Sequence, residues 1–124
     1  MTEHEMRVRL AEAMGWTDLD WQSRPGWIIG QNPGNGLRDH VPDPMVYDTD
    51  AARLRAWCVG RGWMVISACD EDGASATILE TEPSGIGNGH VSPSIEPDPC
   101  RRERLALCRA VLQALEAIEA GGEA

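Results

Sequence analysis

Residues 63–80 read WMVISACDEDGASATILE, and this is the clearest β-hairpin pattern in the chain. From Trp63 to Cys69 the residues alternate between two faces, as in a strand with one buried face. The next four residues, 70–73, form a tight-turn sequence, and residues 74–80 supply the returning strand. We therefore predict a β-hairpin here and place the other elements around it.

Two helical patterns precede the hairpin. Thr2 and Glu5 have the spacing of a capping box, and they start a helix that is predicted to end at Gly15. A second helix is predicted over residues 51–59, with N-cap candidates at residues 48–50. Between the two helices, residues 27–29 favour a short strand, whereas residues 37–47 contain two prolines and are predicted to be an irregular loop.

A long loop and a final helix are predicted after the hairpin. Residues 81–99 contain four prolines and three glycines, which is typical of a loop. A helix follows over about 99–120, with Pro99 at its first position and Asp98 as its cap. Together these elements predict one α+β domain over residues 1–124. Its three- to four-stranded antiparallel sheet is packed with about three helices as an α/β/α sandwich.

The amino-acid composition limits which partners and which cellular location we expect for this protein. The chain has 20 acidic residues against 11 arginines and no lysine, for a formal net charge of −9. This balance argues against general binding of DNA or RNA. No apolar run approaches the roughly 20 residues of a membrane span, and the N-terminus does not resemble a signal peptide. We therefore expect a cytoplasmic protein without a membrane partner.

The four cysteines do not form a C-x-x-C pair. We expect them to be reduced and buried as small hydrophobic residues, and we predict neither a metal site nor a cofactor. A structural zinc that uses these cysteines with His90 is the alternative. The three histidines, His4, His40 and His90, lie in helix-start or loop positions with no recognisable nucleophile beside them. We therefore predict no catalytic residues and a protein that is not an enzyme.

The main functional signal is the basic start of the last helix. Arg101, Arg102, Arg104 and Arg109 lie within nine residues of an acidic chain. The N-terminus of a helix is already electropositive, so a cluster of arginines there is unfavourable unless a negative group binds. We predict an anion site. The alternative is that Arg101 and Arg102 are solvated and pair with Glu96, Asp98 or Glu103.

Two further groups complete the predicted ligand site. Gly87, Asn88 and His90 belong to the predicted loop next to the arginines, where glycines would expose backbone N–H groups to a phosphate. The loop lacks the Lys-Ser/Thr of a P-loop. Trp21 and Trp27 lie in a less regular segment and are candidates for stacking on a base, with core packing as the alternative for each.

Several short segments resemble the phage ABA sandwich domain, a family of small proteins encoded by phages and prophages. The segments are the helix end AEAMGW at 11–16, the helix start YDTDAA at 47–52, the strand start at Gly62-Trp63, and the final helix LALCRAVLQA at 105–114. The resemblance covers most of the chain and implies an antiparallel sheet between helices. It implies little about chemistry.

Two functions are therefore expected as alternatives. The first is a non-enzymatic phage counter-defence protein that sequesters a small anionic nucleotide signal, of the cyclic nucleotide or cyclic ADP-ribose type. The second is an acidic module that binds and inhibits a host protein. In either case, exposed strand edges in a domain of this size predict a homo-oligomer.

Overall fold

The computed structural model describes residues 2–20, 27–79 and 85–119. Within these residues the chain forms three helices and two three-stranded antiparallel sheets, so the predicted α+β class is confirmed. The chain divides into two compact units, Met1–Asp43 and Pro44–Ala124. The single domain over 1–124 stays a prediction. No described helix combines the length and apolar character needed to cross a bilayer.

The first unit contains one helix and a small sheet. Helix α1 (Glu3–Ala13) is followed by strands β1 (Thr17–Asp20), β2 (Ile29–Gln31) and β3 (Arg38–His40), which pair in the order β1-β2-β3. The predicted capping box is present, because the Glu5 N–H donates to the Thr2 hydroxyl and the Thr2 N–H donates to the Glu5 carboxylate. The backbone hydrogen bond from Thr2 is the main reason that the pKa of Glu5 is lowered.

The small sheet differs from the sequence prediction. The strand predicted at 27–29 begins only at Ile29, and β3 lies inside residues 37–47, for which the sequence predicts an irregular loop. The three residues of β3 are all polar and exposed, so the strand lacks the alternation of apolar and polar side chains that identifies a half-buried strand in a sequence. The unit is held instead by a core of Ala11, Trp16, Ile28 and Val41.

In the second unit, the predicted hairpin lies between the two helices in chain order. Helix α2 (Asp48–Gly60) precedes strands β4 (Met64–Asp70), β5 (Gly73–Leu79) and β6 (Gly85–Val91), and helix α3 (Pro99–Ala117) follows. The strands pair antiparallel in the order β4-β5-β6. The hairpin and the last helix are confirmed, and α2 begins earlier than predicted.

Strand β6 corrects the prediction of a loop over 81–99. Residues 85–91 are a strand, in which Asn88 pairs with Thr77 and His90 pairs with Ser75 of β5. The sequence reads GIGNGHV, with glycine where a buried strand normally carries a large apolar side chain. The strand therefore has no visible periodicity in the sequence. Residues 80–84 lie outside the described part of the chain.

Both helices of the second unit lie on one face of its sheet. In the strand register, Ser67, Ala76 and Gly89 form one row. Ser67 accepts a hydrogen bond from Arg55 of α2, and Gly89 lies against the backbone of α3. Side chains alternate along strands, so Met64 and Ile66 of β4 lie on the opposite face, where they are exposed.

Candidate functional site

The start of α3 is surrounded by polar partners from its own unit. Asp98 caps the helix by accepting a hydrogen bond from the Cys100 N–H. The Arg101 Nε donates to a Glu96 carboxylate oxygen at 2.7 Å, which is one of the pairings given above as the alternative to an anion site. These two carboxylates offset part of the repulsion between the arginines and the positive end of the helix.

Arg102 has a structural role. Its side chain is only 5% exposed, and its guanidinium donates to the backbone carbonyls of Glu96 and Pro97, both at 2.8 Å. These two hydrogen bonds hold the turn at residues 96–97 against the start of α3. Arg102 is therefore buried and not solvated, and its guanidinium points at backbone oxygen atoms and not at a cavity.

Arg109 and the glycine-rich segment also have roles within the fold. Arg109 donates to the His90 carbonyl at 3.3 Å, and the Asn88 N–H donates to the side-chain oxygen of Gln113. Gly87 and Gly89 face α3 so closely that an added Cβ would lie 2.2 Å from the carbonyl oxygens of Ala110 and Ala106, respectively. The predicted cradle of exposed N–H groups at 87–90 is thus replaced by a packed contact between β6 and α3.

A cavity of about 200 Å³ lies between the first halves of α2 and α3. Each helix supplies one face of it, at positions spaced i, i+3, i+4 and i+7. The lining residues are Asp48, Ala51, Ala52 and Arg55 from α2, with Cys100, Glu103, Arg104 and Leu107 from α3. Of the four predicted arginines, only Arg104 lines this cavity.

Arg104 is held in a fixed position in the cavity wall. Its Nε donates to the Met45 carbonyl at 3.1 Å, and its Nη1 donates to the carboxylate of Asp48. The Arg104 side chain is 14% exposed, whereas that of Asp48 is 87% exposed. The cation is therefore anchored and largely desolvated, and its anionic partner is a surface side chain.

Arg55 brings a second guanidinium to the same cavity. It donates to the Ser67 hydroxyl of β4 at 3.0 Å and lies 3.6 Å from a carboxylate oxygen of Glu103. The lining thus contains two cations and two anions. A phosphate or carboxylate ligand can bind both guanidiniums only if it displaces Asp48 or Glu103, and both of these carboxylates are at the surface.

The tryptophans predicted to stack on a base fall outside this unit or outside the described residues. Trp27 belongs to the first unit, where it is 43% exposed and packs edge-on against His40 at 4.6 Å. Trp21 lies outside the described residues. In the second unit, the guanidinium of Arg61 lies 4.9 Å from the ring of Trp57 and 4.7 Å from that of Trp63.

The cysteines divide into two buried and two exposed thiols. Cys58 and Cys108 are buried, while Cys69 and Cys100 are exposed, so the expectation that all four are buried is wrong for two of them. Burial raises the pKa of the Cys58 thiol to about 11. In residues 2–20, 27–79 and 85–119, no three His, Cys, Asp or Glu side chains come together as a metal site.

In comparisons with known proteins, the chain matches no family model, no curated protein and no solved structure. The phage ABA sandwich resemblance therefore stays a prediction that rests on the short segments quoted above.

Arg55 is the functional candidate that sequence reasoning missed. It lies one turn after Ala51 and next to the buried Leu54, so helical periodicity places it at the border of the apolar face of α2. A single arginine at such a border is unremarkable in sequence. The role of Arg55 becomes clear only in the structure, where Arg55 and the residues of α3 line the same cavity.

Proposed function

We propose that this protein binds a small phosphate-bearing ligand, of the cyclic nucleotide or cyclic ADP-ribose type, in the cleft between α2 and α3, and holds it without turnover. The observation that supports this proposal best is Arg104, an anchored cation in a cavity wall whose anionic partner is an exposed carboxylate. As a sequestering protein it would act for a phage in the host cytoplasm, since the family that it resembles is encoded by phages and prophages.

Displacing Asp48 from Arg104 costs little free energy. The Asp48 side chain is 87% exposed, so water can solvate its carboxylate once it leaves, and the incoming anion takes its place beside the desolvated Arg104 guanidinium. Each phosphate of such a ligand carries one negative charge, as a carboxylate does, and its oxygens can accept hydrogen bonds from Arg104 and Arg55 together. Asp48 therefore acts as a weak, exchangeable occupant of the site.

The size of the cavity limits which part of a nucleotide enters it. Its volume of about 200 Å³ is smaller than the roughly 300–1,000 Å³ that encloses a drug-sized ligand. A phosphate group and part of the attached sugar fit in this volume, and the base then lies outside the cleft. This arrangement leaves base stacking on Trp21 or Trp27 as a separate prediction.

The proposal is tested by calorimetry and thermal shift with the full chain. The panel contains cyclic dinucleotides, cyclic trinucleotides, cyclic ADP-ribose isomers and inorganic phosphate. Binding by one nucleotide is expected to be lost in Arg104→Ala and weakened in Arg55→Ala. Arg53→Ala is the matched control, since Arg53 lies on the same helix but is 64% exposed and does not line the cavity.

A second variant tests the role of Asp48. Asp48→Asn removes the competing charge and keeps the side-chain shape, so we expect affinity to rise by roughly two- to five-fold, in line with the small strength of a surface ion pair. Recovery of unaltered ligand after heat denaturation is expected of a protein that binds without turnover. If no ligand in the panel binds, or if Arg104→Ala binds as tightly as the wild type, the proposal is wrong.

The acidic hairpin tip favours the second candidate function, binding and inhibition of a host protein. Asp70, Glu71 and Asp72 are consecutive and exposed, and the whole chain has a net charge of −9. This function predicts that one host protein co-purifies with the chain, and that Glu71→Gln with Asp72→Asn abolishes the association. No nucleotide would then shift the melting temperature.

A further inference from the structure

Strand β4 is an unprotected edge of the second sheet. Among the described residues it pairs only with β5. Proteins usually protect such edges with proline, charged side chains, bulges or very short strands. β4 has seven residues, contains neither proline nor glycine, and carries its only charge at its last residue, Asp70.

The opposite edge of the same sheet is different. β6 contains three glycines, and its register with β5 shifts between Ile78 and Leu79. It is also bound to α3 through the His90 carbonyl and the Asn88 N–H. Irregular, glycine-rich edges are poor templates for another strand, so β4 is the better candidate for strand addition.

The side chains of β4 add apolar surface to this edge. Met64 and Ile66 are 57% and 49% exposed, and they lie on the sheet face away from α2 and α3. Ala68 continues the same row. Exposed apolar residues on an open strand edge are typical of an association surface.

From this we infer that β4 pairs antiparallel with β4 of a second copy of this chain, about a two-fold axis at Ser67, to give a continuous six-stranded sheet. In that register Ile66 lies opposite Ala68 of the second copy. Met64 lies opposite its Asp70, so no two like charges face each other along the strand. This inference is independent of the proposed ligand.

Charge at the two ends of β4 favours a second copy over an unrelated peptide. The acidic turn at residues 70–72 follows β4, and Arg61 precedes it. The two-fold register brings the turn of one copy beside residues 62–64 of the other, next to Arg61. Arg61 is already positioned there by the rings of Trp57 and Trp63. The strand and its flanks are therefore complementary to themselves.

The first experiment measures the mass of the full chain in solution by light scattering and sedimentation, from low micromolar to roughly 100 μM. A dimer is expected. Ile66→Lys is expected to give a monomer, because it places two lysines beside the pairing. Ser75→Lys is the matched control, since it adds the same charge to an exposed position on the same face of the central strand, and it should remain dimeric.

The second experiment tests the register by charge exchange, and it does not depend on a change within β4. Arg61→Glu and Asp72→Arg should each raise the dimer dissociation constant at least ten-fold, and the double variant should restore it to within about three-fold of the wild type. The inference is overturned by a wild type that stays monomeric at the highest concentration. It is also overturned if Ile66→Lys and Ser75→Lys have the same effect, or if the double variant fails to recover. An extended peptide that pairs with β4 while the chain stays monomeric would overturn it in favour of the other class of occupant.

Discussion

The packed half of α3, residues 106–114, lies against β6 with almost no space between the backbones. The open half, residues 100–107, faces α2 across a cavity of about 200 Å³. In the packed half the side chains are alanines facing glycines. In the open half, arginines and carboxylates hold the helix ends in place. The glycine-rich motif, which resembles a phosphate loop in sequence, thus belongs to the packed half. The candidate anion site belongs to the open half.

Gly87→Ala is expected to give the largest loss of stability, because it disrupts the close packing of β6 on the packed half of α3. The new Cβ would lie 2.2 Å from the Ala110 carbonyl oxygen and 2.8 Å from the Ala114 nitrogen, so backbone must move. We expect the free energy of unfolding to fall by about 3 kcal/mol, at the upper end of ordinary overpacking. Urea unfolding followed by circular dichroism measures this loss.

Gly60→Ala is the control for this variant. Gly60 ends α2, and the position that a Cβ would take there has no atom within 4 Å beyond its chain neighbours and the backbone of its own helix. Alanine there should leave stability unchanged or raise it by roughly 0.5–1 kcal/mol, because glycine is unfavourable in helices. Equal losses in Gly87→Ala and Gly60→Ala would contradict the close packing of β6 on α3.

Arg102→Ala is expected to have the next largest effect and separates structural arginines from binding arginines. Removing this buried side chain leaves the Glu96 and Pro97 carbonyls without their donor. Each hydrogen bond to a charged group contributes roughly 1.5–3 kcal/mol, but Pro97 is exposed and Glu96 half-buried, so water can replace part of what is lost. We therefore expect a loss of about 2–3 kcal/mol in urea unfolding. Arg53→Ala, at a 64% exposed position, should change stability by less than about 0.5 kcal/mol.

The same variants give a test that distinguishes the two arginine roles. Arg102→Ala should lower stability while leaving phosphate affinity unchanged once the protein is folded, whereas Arg104→Ala should abolish phosphate affinity in addition to the stability that it loses with the Met45 hydrogen bond. A stable Arg102→Ala protein would show that the turn before α3 is held by other contacts.

Gln113→Ala is expected to have a smaller effect on the packed half. Its side-chain oxygen accepts from the Asn88 N–H, but both residues are exposed, so water can replace the lost bond. We expect a loss of about 0.5–1 kcal/mol. Glu116→Ala, at another exposed position of α3, serves as the control and should change stability by less than about 0.5 kcal/mol. A loss as large as that of Gly87→Ala would mean that the polar contact, and not the glycine–alanine packing, holds β6.

The parts of the fold that could be predicted from the sequence have strong periodicity or cap chemistry. The capping box at Thr2, the hairpin around residues 70–73 and the long apolar face of α3 are all readable from local patterns. Strand β6 could not be predicted, because its glycines have no side chains that would give an alternating pattern. Their role becomes clear only where they pack against the alanines of α3. Strand β3 could not be predicted either, because its three residues are exposed and polar.

The candidate site is only partly readable for a similar reason. The arginine cluster is visible in the sequence, but which arginine lines a cavity depends on tertiary packing. Arg102 turns to the Glu96 and Pro97 carbonyls, and Arg109 turns to β6, while Arg104 lines the cavity opposite α2. Arg55 carries no local signal, because its role depends on a helix about 50 residues further along the chain.

Chemical labelling of the cysteines tests the difference between the two halves of α3 in the wild-type protein. Cys100 lines the cavity and is exposed, whereas Cys108 lies in the packed half and is buried. A maleimide at about pH 7 should modify Cys69 and Cys100 in the native protein and reach Cys58 and Cys108 only after unfolding, because labelling needs an accessible thiolate. Mass spectrometry after timed quenching counts the modified sites, and early modification of Cys108 would contradict the close packing.

Cys58 adds a pH dependence to the same experiment. Its folded pKa is raised by burial from 9.0 to about 11, so at a pH between these values the unfolded thiol loses a proton that the folded one keeps. The stabilisation linked to this group is complete below about pH 9 and is lost as the pH rises towards 11. We therefore expect the free energy of unfolding to decline over this interval and Cys58 labelling to accelerate with it. A ligand bound in the cleft should slow labelling of Cys100 and leave that of Cys69 unchanged, which separates occupation of the open half from a general tightening of the fold.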